Sequence, residues 1–175
     1  NVKSFQVAVG HNFEKWRLGG VRRKSYFSKT NQGGGVIFEL VHEVNLINNL
    51  FGKILSIKSL KSKSSKFNCE DAVVSVVKTD KNIIGTLYQD MFSNFFFRYI
   101  NIVTRKKFIK IDFKKNQIFE NHKIIKFKSL NTQSKLLKSN MLKFIKRIKK
   151  KDRTILDYDN SIYDLNICIK MHNEL

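Results

Sequence analysis

The segment from Asn31 to Gly52, NQGGGVIFELVHEVNLINNLFG, places one histidine in an apolar run that follows three glycines. An imidazole titrates near neutral pH, so His42 could take a proton from a hydroxyl group and later return it. When the run is wound as a helix, its apolar side chains gather on one face and His42 points almost directly away from that face. The pattern predicts that His42 lies outside the core, and leaves open whether it lines a cleft or is simply exposed.

The other residues that could carry chemistry give weaker signals. Gly33 to Gly35 do not continue into the Gly-Lys-Ser/Thr of a phosphate loop, nor into a Gly-x-Gly-x-x-Gly turn. We therefore expect these glycines to let the backbone enter the helix rather than to bind a nucleotide. Cys69 and Cys168 lie far apart, without a CxxC pair or a nearby histidine cluster, which predicts free thiols in a reducing cytoplasm and no metal site.

The elements that must position His42 can be read from the hydrophobic pattern. Residues 2–9 alternate like a strand, and residues 10–35 form a long loop whose aromatic residues argue against disorder. After the helical segment 36–51 come several runs rich in Ile, Val and Phe, and then two helical patterns beyond Thr132. Successive strands without intervening helices favour antiparallel pairing. The sequence predicts one α+β domain over residues 1–175, with a sheet of about five or six strands.

The net charge of +20 suggests a nucleic acid or an anionic membrane as partner. However, the chain has no proline and is rich in Lys, Asn, Ile and Phe, whose codons are AT-rich, so a low-GC genome could produce much of the lysine excess. No run approaches the roughly 20 apolar residues of a membrane span, so we expect no membrane partner.

A non-enzymatic alternative comes from the segment FFFRYINIVTRKKFIKIDFKK, residues 95–115. It interleaves basic and aromatic residues, as proteins that bind single-stranded nucleic acid do. It lacks the glycines and the spacing of the RNP signature, and its alternation fits a pair of strands better. Nucleic-acid binding through residues 98–115 is therefore the less favoured reading.

The whole pattern resembles a known family. GGGVIFELVHEVNLINNLFG (33–52) is similar to the start of the main helix in the second domain of the Gfo/Idh/MocA family, which includes relatives of glucose-fructose oxidoreductase and inositol dehydrogenase. WRLGGVRRKSYFSK (16–29) resembles a loop of sugar-modifying members, and RYINIVTRKKFIKIDF (98–113) resembles two later strands. The resemblance covers nearly the whole chain, and its specificity is concentrated in residues 16–52. It implies an open, mainly antiparallel sheet with helices packed on one face.

The resemblance also implies a function. It makes the chain the C-terminal, substrate-binding part of an oxidoreductase that uses NAD or NADP on a sugar, a polyol or a sugar nucleotide. It makes His42 the proton-transfer residue and implies a homo-oligomer through the open face of the sheet. The candidate substrate contacts are Trp16, Arg17 and Tyr26 on the long loop, and Asn45 and Asn49 on the helix.

Two departures from the family pattern bear on these expectations. Asn45 stands where the family usually has Asp, so that position supplies no carboxylate beside His42. The family binds its cofactor in an N-terminal Rossmann domain, and the 175 residues contain no Gly-x-Gly-x-x-Gly turn after a strand, so we expect no cofactor-binding residue here. The start at Asn1 rather than Met predicts a partial chain. A catalytically inactive fragment that only oligomerises is the remaining alternative.

Overall fold

The computed structural model describes residues 1–16, 25–63, 67–125, 133–150 and 158–174. Within these ranges, eight strands form one sheet in the order β2-β3-β4-β1-β5-β6-β7-β8. The strands are β1 (Val2–Gly10), β2 (Ile54–Ser62), β3 (Ala72–Thr79), β4 (Ile84–Asp90), β5 (Phe97–Thr104), β6 (Phe108–Asp112), β7 (Gln117–Glu120) and β8 (Lys123–Ile125). The α-helices are α1 (Phe13–Trp16), α2 (Val36–Glu39), α3 (Val41–Phe51), α4 (Gln133–Lys149) and α5 (Tyr158–Asn173), and short 3-10 helices cover Tyr26–Ser28 and Thr30–Gln32.

Strand β1 lies inside the sheet, between β4 and β5. It runs parallel to β4 and antiparallel to β5, and the remaining pairs of neighbouring strands are antiparallel. Val9 of β1 stands opposite Gln89 of β4 on one side and opposite Arg98 of β5 on the other. Because facing residues of paired strands project to the same side of a sheet, these three side chains share one face.

That face is the one the helices cover. The apolar side chains that the sequence assigns to the core side of residues 36–51 are buried, except that Val41 is only partly buried. Phe51, at the end of α3, stacks on Phe5 of β1 with 4.2 Å between the ring centroids. Helix α5 contacts α3 and β2, and it adds Ile167, Cys168 and Met171 to the core.

The α+β class and the mainly antiparallel sheet are confirmed, but over the described residues the sheet has eight strands rather than five or six. The strands at one end are short, since β7 has 4 residues and β8 has 3. Runs of that length contain too few alternations to be distinguished from a loop in a sequence.

Several turns of the sheet use asparagine in the left-handed region. Asn82, Asn116 and Asn121 have φ angles of 56°, 51° and 46°. Asn82 belongs to the turn between β3 and β4, where the Thr79 amide donates to the carbonyl oxygen of Ile83 at 2.9 Å. Asparagine tolerates this conformation better than other residues with a side chain.

Helix α4 is amphipathic, and nearly all of its described side chains are exposed. Its apolar stripe consists of Leu137, Met141, Phe144, Ile145 and Ile148, which are 41% to 64% exposed. Lys146, Arg147 and Lys149 lie in its last turn, where cations interact favourably with the helix dipole. In the part of the chain described, no helix is long and apolar enough to cross a membrane.

Both cysteines are free and buried, which confirms the prediction of free thiols. Burial raises the pKa of the Cys168 thiol to about 12, and the charge of Asp164 adds to the rise. Burial also raises the pKa of the Cys69 thiol to about 11, with Glu70 as the next largest cause. Both groups are therefore neutral at physiological pH, which suits a role in packing rather than in reactivity.

A buried carboxylate joins α5 to α3. Asp164 Oδ2 accepts a hydrogen bond from Asn45 Nδ2 at 2.6 Å, and Asp164 Oδ1 accepts one from Asn48 Nδ2 at 2.5 Å. The side-chain oxygen of Asn48 accepts in turn from the amide of Ile54, where β2 begins, at 2.9 Å. Because Asp164 is only 4% exposed, these donors replace the water that the carboxylate loses on folding.

We expect Asp164→Ala to lower the free energy of unfolding by about 2 kcal/mol, because the hydrogen bonds from Asn45 and Asn48 to a charged carboxylate are lost. Urea unfolding followed by circular dichroism measures the change. Asn166→Ala, on the exposed side of α5, is the matched control and should stay within about 0.5 kcal/mol of the parent. Equal losses in the two variants would contradict the role assigned to Asp164.

Candidate active site

The three glycines bring the backbone close to neighbouring segments at the start of α2. A β-carbon on Gly34 would lie 2.4 Å from the carbonyl oxygen of Tyr26. Gly35 has a φ of 115°, and a β-carbon there would lie 2.1 Å from Glu70 Oε1. The Val36 amide donates to the carbonyl oxygen of Glu70 at 3.1 Å. Close backbone packing is thus what these glycines permit, in agreement with the sequence-based expectation.

The same arrangement bears on the nicotinamide cofactor that the resemblance implies. A pyrophosphate group binds at a glycine-rich turn because free amides and the positive end of a long helix face it. Here the carboxylate of Glu70, only 7% exposed, lies against Gly35, and α2 has only 4 residues. A carboxylate in that place would repel a phosphate, so this turn does not fit the cofactor.

The helical segment over residues 36–51 is interrupted at Leu40, whose φ of −111° and ψ of 28° separate α2 from α3. The carbonyl oxygen of Leu40 accepts a hydrogen bond from Gln89 Nε2 at 2.9 Å. Strand β4 therefore holds the interruption in place. Helix α3 begins with the next residue, and His42 lies in its first turn.

Beside His42 lies a fully buried carboxylate. Glu43 Oε1 is 2.8 Å from Arg98 Nε and 3.2 Å from His42 Nε2. Neither contact has the alignment of a full hydrogen bond, and Glu43 Oε2 has no hydrogen-bond partner among the described residues. The guanidinium charge compensates a carboxylate that would otherwise be costly to bury.

Arg98 reaches this carboxylate from β5, where it is opposite Val9 of β1. Its guanidinium carbon lies 4.9 Å from the centroid of the Phe113 ring, a distance at which a cation is attracted to a ring face. The Arg98 side chain remains 28% exposed. The cation is thus fixed by a carboxylate and a ring, and it still reaches the surface near His42.

On α3, the structure places the predicted site residues as follows. His42 lies outside the core, as the helical pattern predicts, with 48% of its side chain exposed. The Asn45 amide donates to Asp164, and the Asn49 amide donates to the carbonyl oxygen of Asn45 at 2.8 Å. Their contact with a substrate stays a prediction.

On the long loop, Tyr26 is 47% exposed and lies edge-on to Phe27, with 5.6 Å between the ring centroids. Trp16 ends α1. Arg17 lies outside the described residues.

Sequence reasoning did not select Glu43 or Arg98, the two residues that the structure brings to His42. Glu43 lies at the edge of the apolar face of the helix, and a carboxylate in that place could have indicated a buried charge. The sequence could not indicate that Arg98 lies near Glu43, because that contact depends on the position of β1 between β4 and β5.

Phe97 and Tyr99, the rings of the nucleic-acid alternative, lie on the open face of the sheet, opposite the helices. Nearby cations already have neighbours of their own. Lys110 Nζ is 5.1 Å from the centroid of the Tyr99 ring, and Lys107 Nζ is 2.7 Å from Glu120 Oε1. Within the described ranges, no group of three or more His, Cys, Asp or Glu side chains could hold a metal ion.

Comparison with known proteins places the fold. No family model and no curated protein matches the sequence. UDP-N-acetylglucosamine 3-dehydrogenase GnnA from Acidithiobacillus ferrooxidans matches with a TM-score of 0.75, covering 97% of this chain and 52% of that one at 12% identity. Levoglucosan dehydrogenase in complex with NADH and levoglucosan matches with a TM-score of 0.59, covering 69% and 35% at 11% identity. The WlbA dehydrogenase from Bordetella pertussis, in complex with NADH and UDP-GlcNAcA, matches with a TM-score of 0.51, covering 64% and 34% at 16% identity.

The chain therefore has the fold found in Gfo/Idh/MocA-type oxidoreductases, and the resemblance seen in the sequence is confirmed at the level of the fold. The chain spans about half the length of GnnA, 52% of it. Two of the solved structures that share the fold are dehydrogenases in complex with NADH, one with levoglucosan and one with UDP-GlcNAcA.

The packing of Glu70 against the glycines can be tested by substitution. Gly35→Ala should lower the free energy of unfolding by about 1–3 kcal/mol through backbone strain alone, and further through the collision with Glu70. Gly33→Ala is the matched control: Gly33 has a φ of 75°, but nothing lies within 4 Å of a β-carbon there, so only strain of about 1 kcal/mol is expected. Chemical unfolding of both variants measures the difference, and equal losses would contradict the packing described.

Proposed function

We propose that this chain is the substrate-binding part of an NAD(P)-dependent oxidoreductase that acts on a sugar, a polyol or a sugar nucleotide. One observation carries the proposal. The chain has the fold of dehydrogenases that act on such compounds. In this chain, His42 is half exposed in the first turn of α3, and it lies beside the buried carboxylate of Glu43, which also contacts the partly exposed Arg98. This combination offers a proton acceptor and a cation at one place on the surface.

Oxidation of a secondary alcohol removes a hydride from carbon and a proton from oxygen. In the proposal, His42 takes the proton, since a neutral imidazole is a suitable base near pH 7. The glycine turn of this chain does not fit a nicotinamide dinucleotide, so NAD or NADP is held by another domain or subunit. The chain's contribution is to bind the substrate, to orient its hydroxyl group and to move the proton.

The remaining predicted contacts complete the proposed substrate site. Trp16 and Tyr26 offer aromatic surfaces against which the apolar face of a sugar ring can lie. Arg17 is the residue for a carboxylate or a phosphate on the substrate, because a guanidinium binds such groups in a bidentate manner. Asn45 and Asn49 extend along α3 from His42 at helical spacing. The two free thiols are in keeping with a reducing cytoplasm as the place where the protein works.

The central test is the substitution His42→Asn, assayed together with the nicotinamide-binding domain or subunit that the proposal requires. We expect kcat to fall about 100-fold or more, because general base catalysis contributes about 10²–10⁴-fold, whereas the Kd of the cofactor should not change. Steady-state kinetics and cofactor titration measure the two quantities.

The matched control is His122→Asn. His122 is exposed and has a φ of 70°, a conformation that asparagine also tolerates. This variant should keep full activity. If His42→Asn has unchanged turnover, the role of His42 is wrong. If the intact parent protein oxidises no sugar, polyol or sugar nucleotide, the alternative of an inactive oligomerising fragment is favoured.

We also propose that the open face of the sheet binds a second copy of this chain. Apolar side chains lie on it at the surface: Leu60, Val74, Val76, Ile84, Val103, Phe108 and Ile124, which are 37% to 77% exposed. They come from strands on both sides of β1, and polar side chains such as Gln6 and Asn101 lie among them. A surface of this kind is usually covered by a partner, and a two-fold axis would pair it with itself.

The variant Val76→Glu tests this interface. Val76 is 54% exposed on β3, and in a two-fold dimer its replacement places two new carboxylates in one interface. We expect a dimer for the parent chain and a monomer for the variant in light scattering coupled to gel filtration. Leu50→Glu, at a site 49% exposed on α3, is the control and should leave the dimer intact. A monomeric parent chain would show that the proposed interface is wrong.

A further inference from the structure

We infer that Glu43 is a positioning residue that holds His42 with its proton on Nε2, so that Nδ1 is the atom that exchanges a proton with the substrate. This inference rests on the proposed function for the catalytic use of His42. It adds the tautomer, the reacting atom and the residue that determines both.

Glu43 is buried beside His42. Its side chain is 0% exposed, and a buried carboxylate needs donors from the protein because it has lost its water. Its Oε1 lies 2.8 Å from Arg98 Nε and 3.2 Å from His42 Nε2, although neither N–H is aligned for a full hydrogen bond. A negatively charged oxygen this close to Nε2 repels a lone pair on that nitrogen and attracts an N–H group, so it favours the histidine tautomer whose Nε2 carries a proton.

Arg98 supplies a positive charge beside the buried carboxylate of Glu43. A guanidinium keeps its charge and all its protons at any pH that the folded protein meets. Arg98 therefore balances the charge of Glu43, and the carboxylate can remain an acceptor beside the imidazole. Because β1 sets Arg98 opposite Val9 and the Phe113 ring packs on the guanidinium, the position of Glu43 is fixed from the sheet side.

The contact with Glu43 distinguishes the two nitrogens of the His42 ring. Nε2 faces a carboxylate that is fully buried, while the His42 side chain as a whole is 48% exposed. The inference assigns the substrate contact to Nδ1, the nitrogen that is not in contact with Glu43, because its lone pair is free when Nε2 holds the proton. A histidine oriented by a carboxylate behind it is a general arrangement for proton transfer.

The proposed step balances as follows. The O–H bond of the substrate hydroxyl breaks and an N–H bond forms at Nδ1, while the hydride leaves the same carbon for the nicotinamide of the proposed function. The imidazolium that results carries a proton on each nitrogen, and Glu43 stabilises its charge through Nε2. Glu43 thus supplies the carboxylate beside His42 that Asn45, engaged with Asp164, does not.

The experiment reads the tautomer directly, by long-range ¹H–¹⁵N correlation NMR of the ¹⁵N-labelled chain at a pH where the rings are neutral. The chain has four histidines, so the His42 signals are assigned from their loss in His42→Asn. We expect His42 in the parent chain to show the pattern of a protonated Nε2 and a bare Nδ1. Exposed His122 provides the reference, since it has no carboxylate partner among the residues that the structure describes.

Two variants make the assignment specific. Glu43→Leu removes the acceptor, and the tautomer ratio of His42 should move to that of His122. Glu39→Gln removes a carboxylate one helical turn earlier and should leave the ratio unchanged. A parent chain whose His42 carries the proton on Nδ1, or has the ratio of His122, overturns the inference even if Glu43→Leu does not fold.

Kinetics separate this inference from the proposed function. With the nicotinamide-binding domain or subunit present, Glu43→Gln should lower kcat on the order of tenfold or more and leave KM nearly unchanged. A protonated Nε2 together with full activity of His42→Asn would reject the proposed function and leave Glu43 a structural partner of His42. Activity that needs His42 while Nδ1 carries the proton would reject only the inference.

Discussion

The insertion of β1 between β4 and β5 is the constraint on which the rest of the structure depends. Through it, residues near the start of the chain meet residues from its middle, and the two antiparallel parts of the sheet become one. Val9 separates Gln89 from Arg98, so one residue holds the interruption before α3 and the other reaches the carboxylate within α3. Strand order therefore brings Arg98 to His42, whereas Glu43 comes from the local sequence.

The buried ion pair of Glu43 and Arg98 contributes to geometry more than to stability. Desolvation of Glu43 and Arg98 offsets most of their attraction, so the pair contributes little net stability. Its value lies in geometry, because a carboxylate that cannot exchange its partners for water keeps one place relative to α3 and β5. A site that must orient a substrate within fractions of an ångström benefits from such rigidity.

Periodicity predicted what depends on neighbours in sequence. The core side of residues 36–51, the outward direction of His42 and the strand β1 all follow from spacing and residue type. Periodicity could not reveal that Asn45 bonds to Asp164, because a polar residue on a helix looks exposed until a second helix packs against it. The burial of Glu43 could not be predicted for the same reason. A charged residue is rarely buried unless it is paired, and the sequence does not identify Arg98 as the partner.

The asparagine turns have a consequence for the unfolded state. Asn82, Asn116 and Asn121 bend the chain at positive φ in a protein that has no proline. Proline limits the conformations of an unfolded chain. A turn without proline therefore loses more conformational entropy on folding than the same turn with one. The packing of β1 and α3 must offset that loss. In return, the chain has no prolyl bond whose slow isomerisation could delay its refolding.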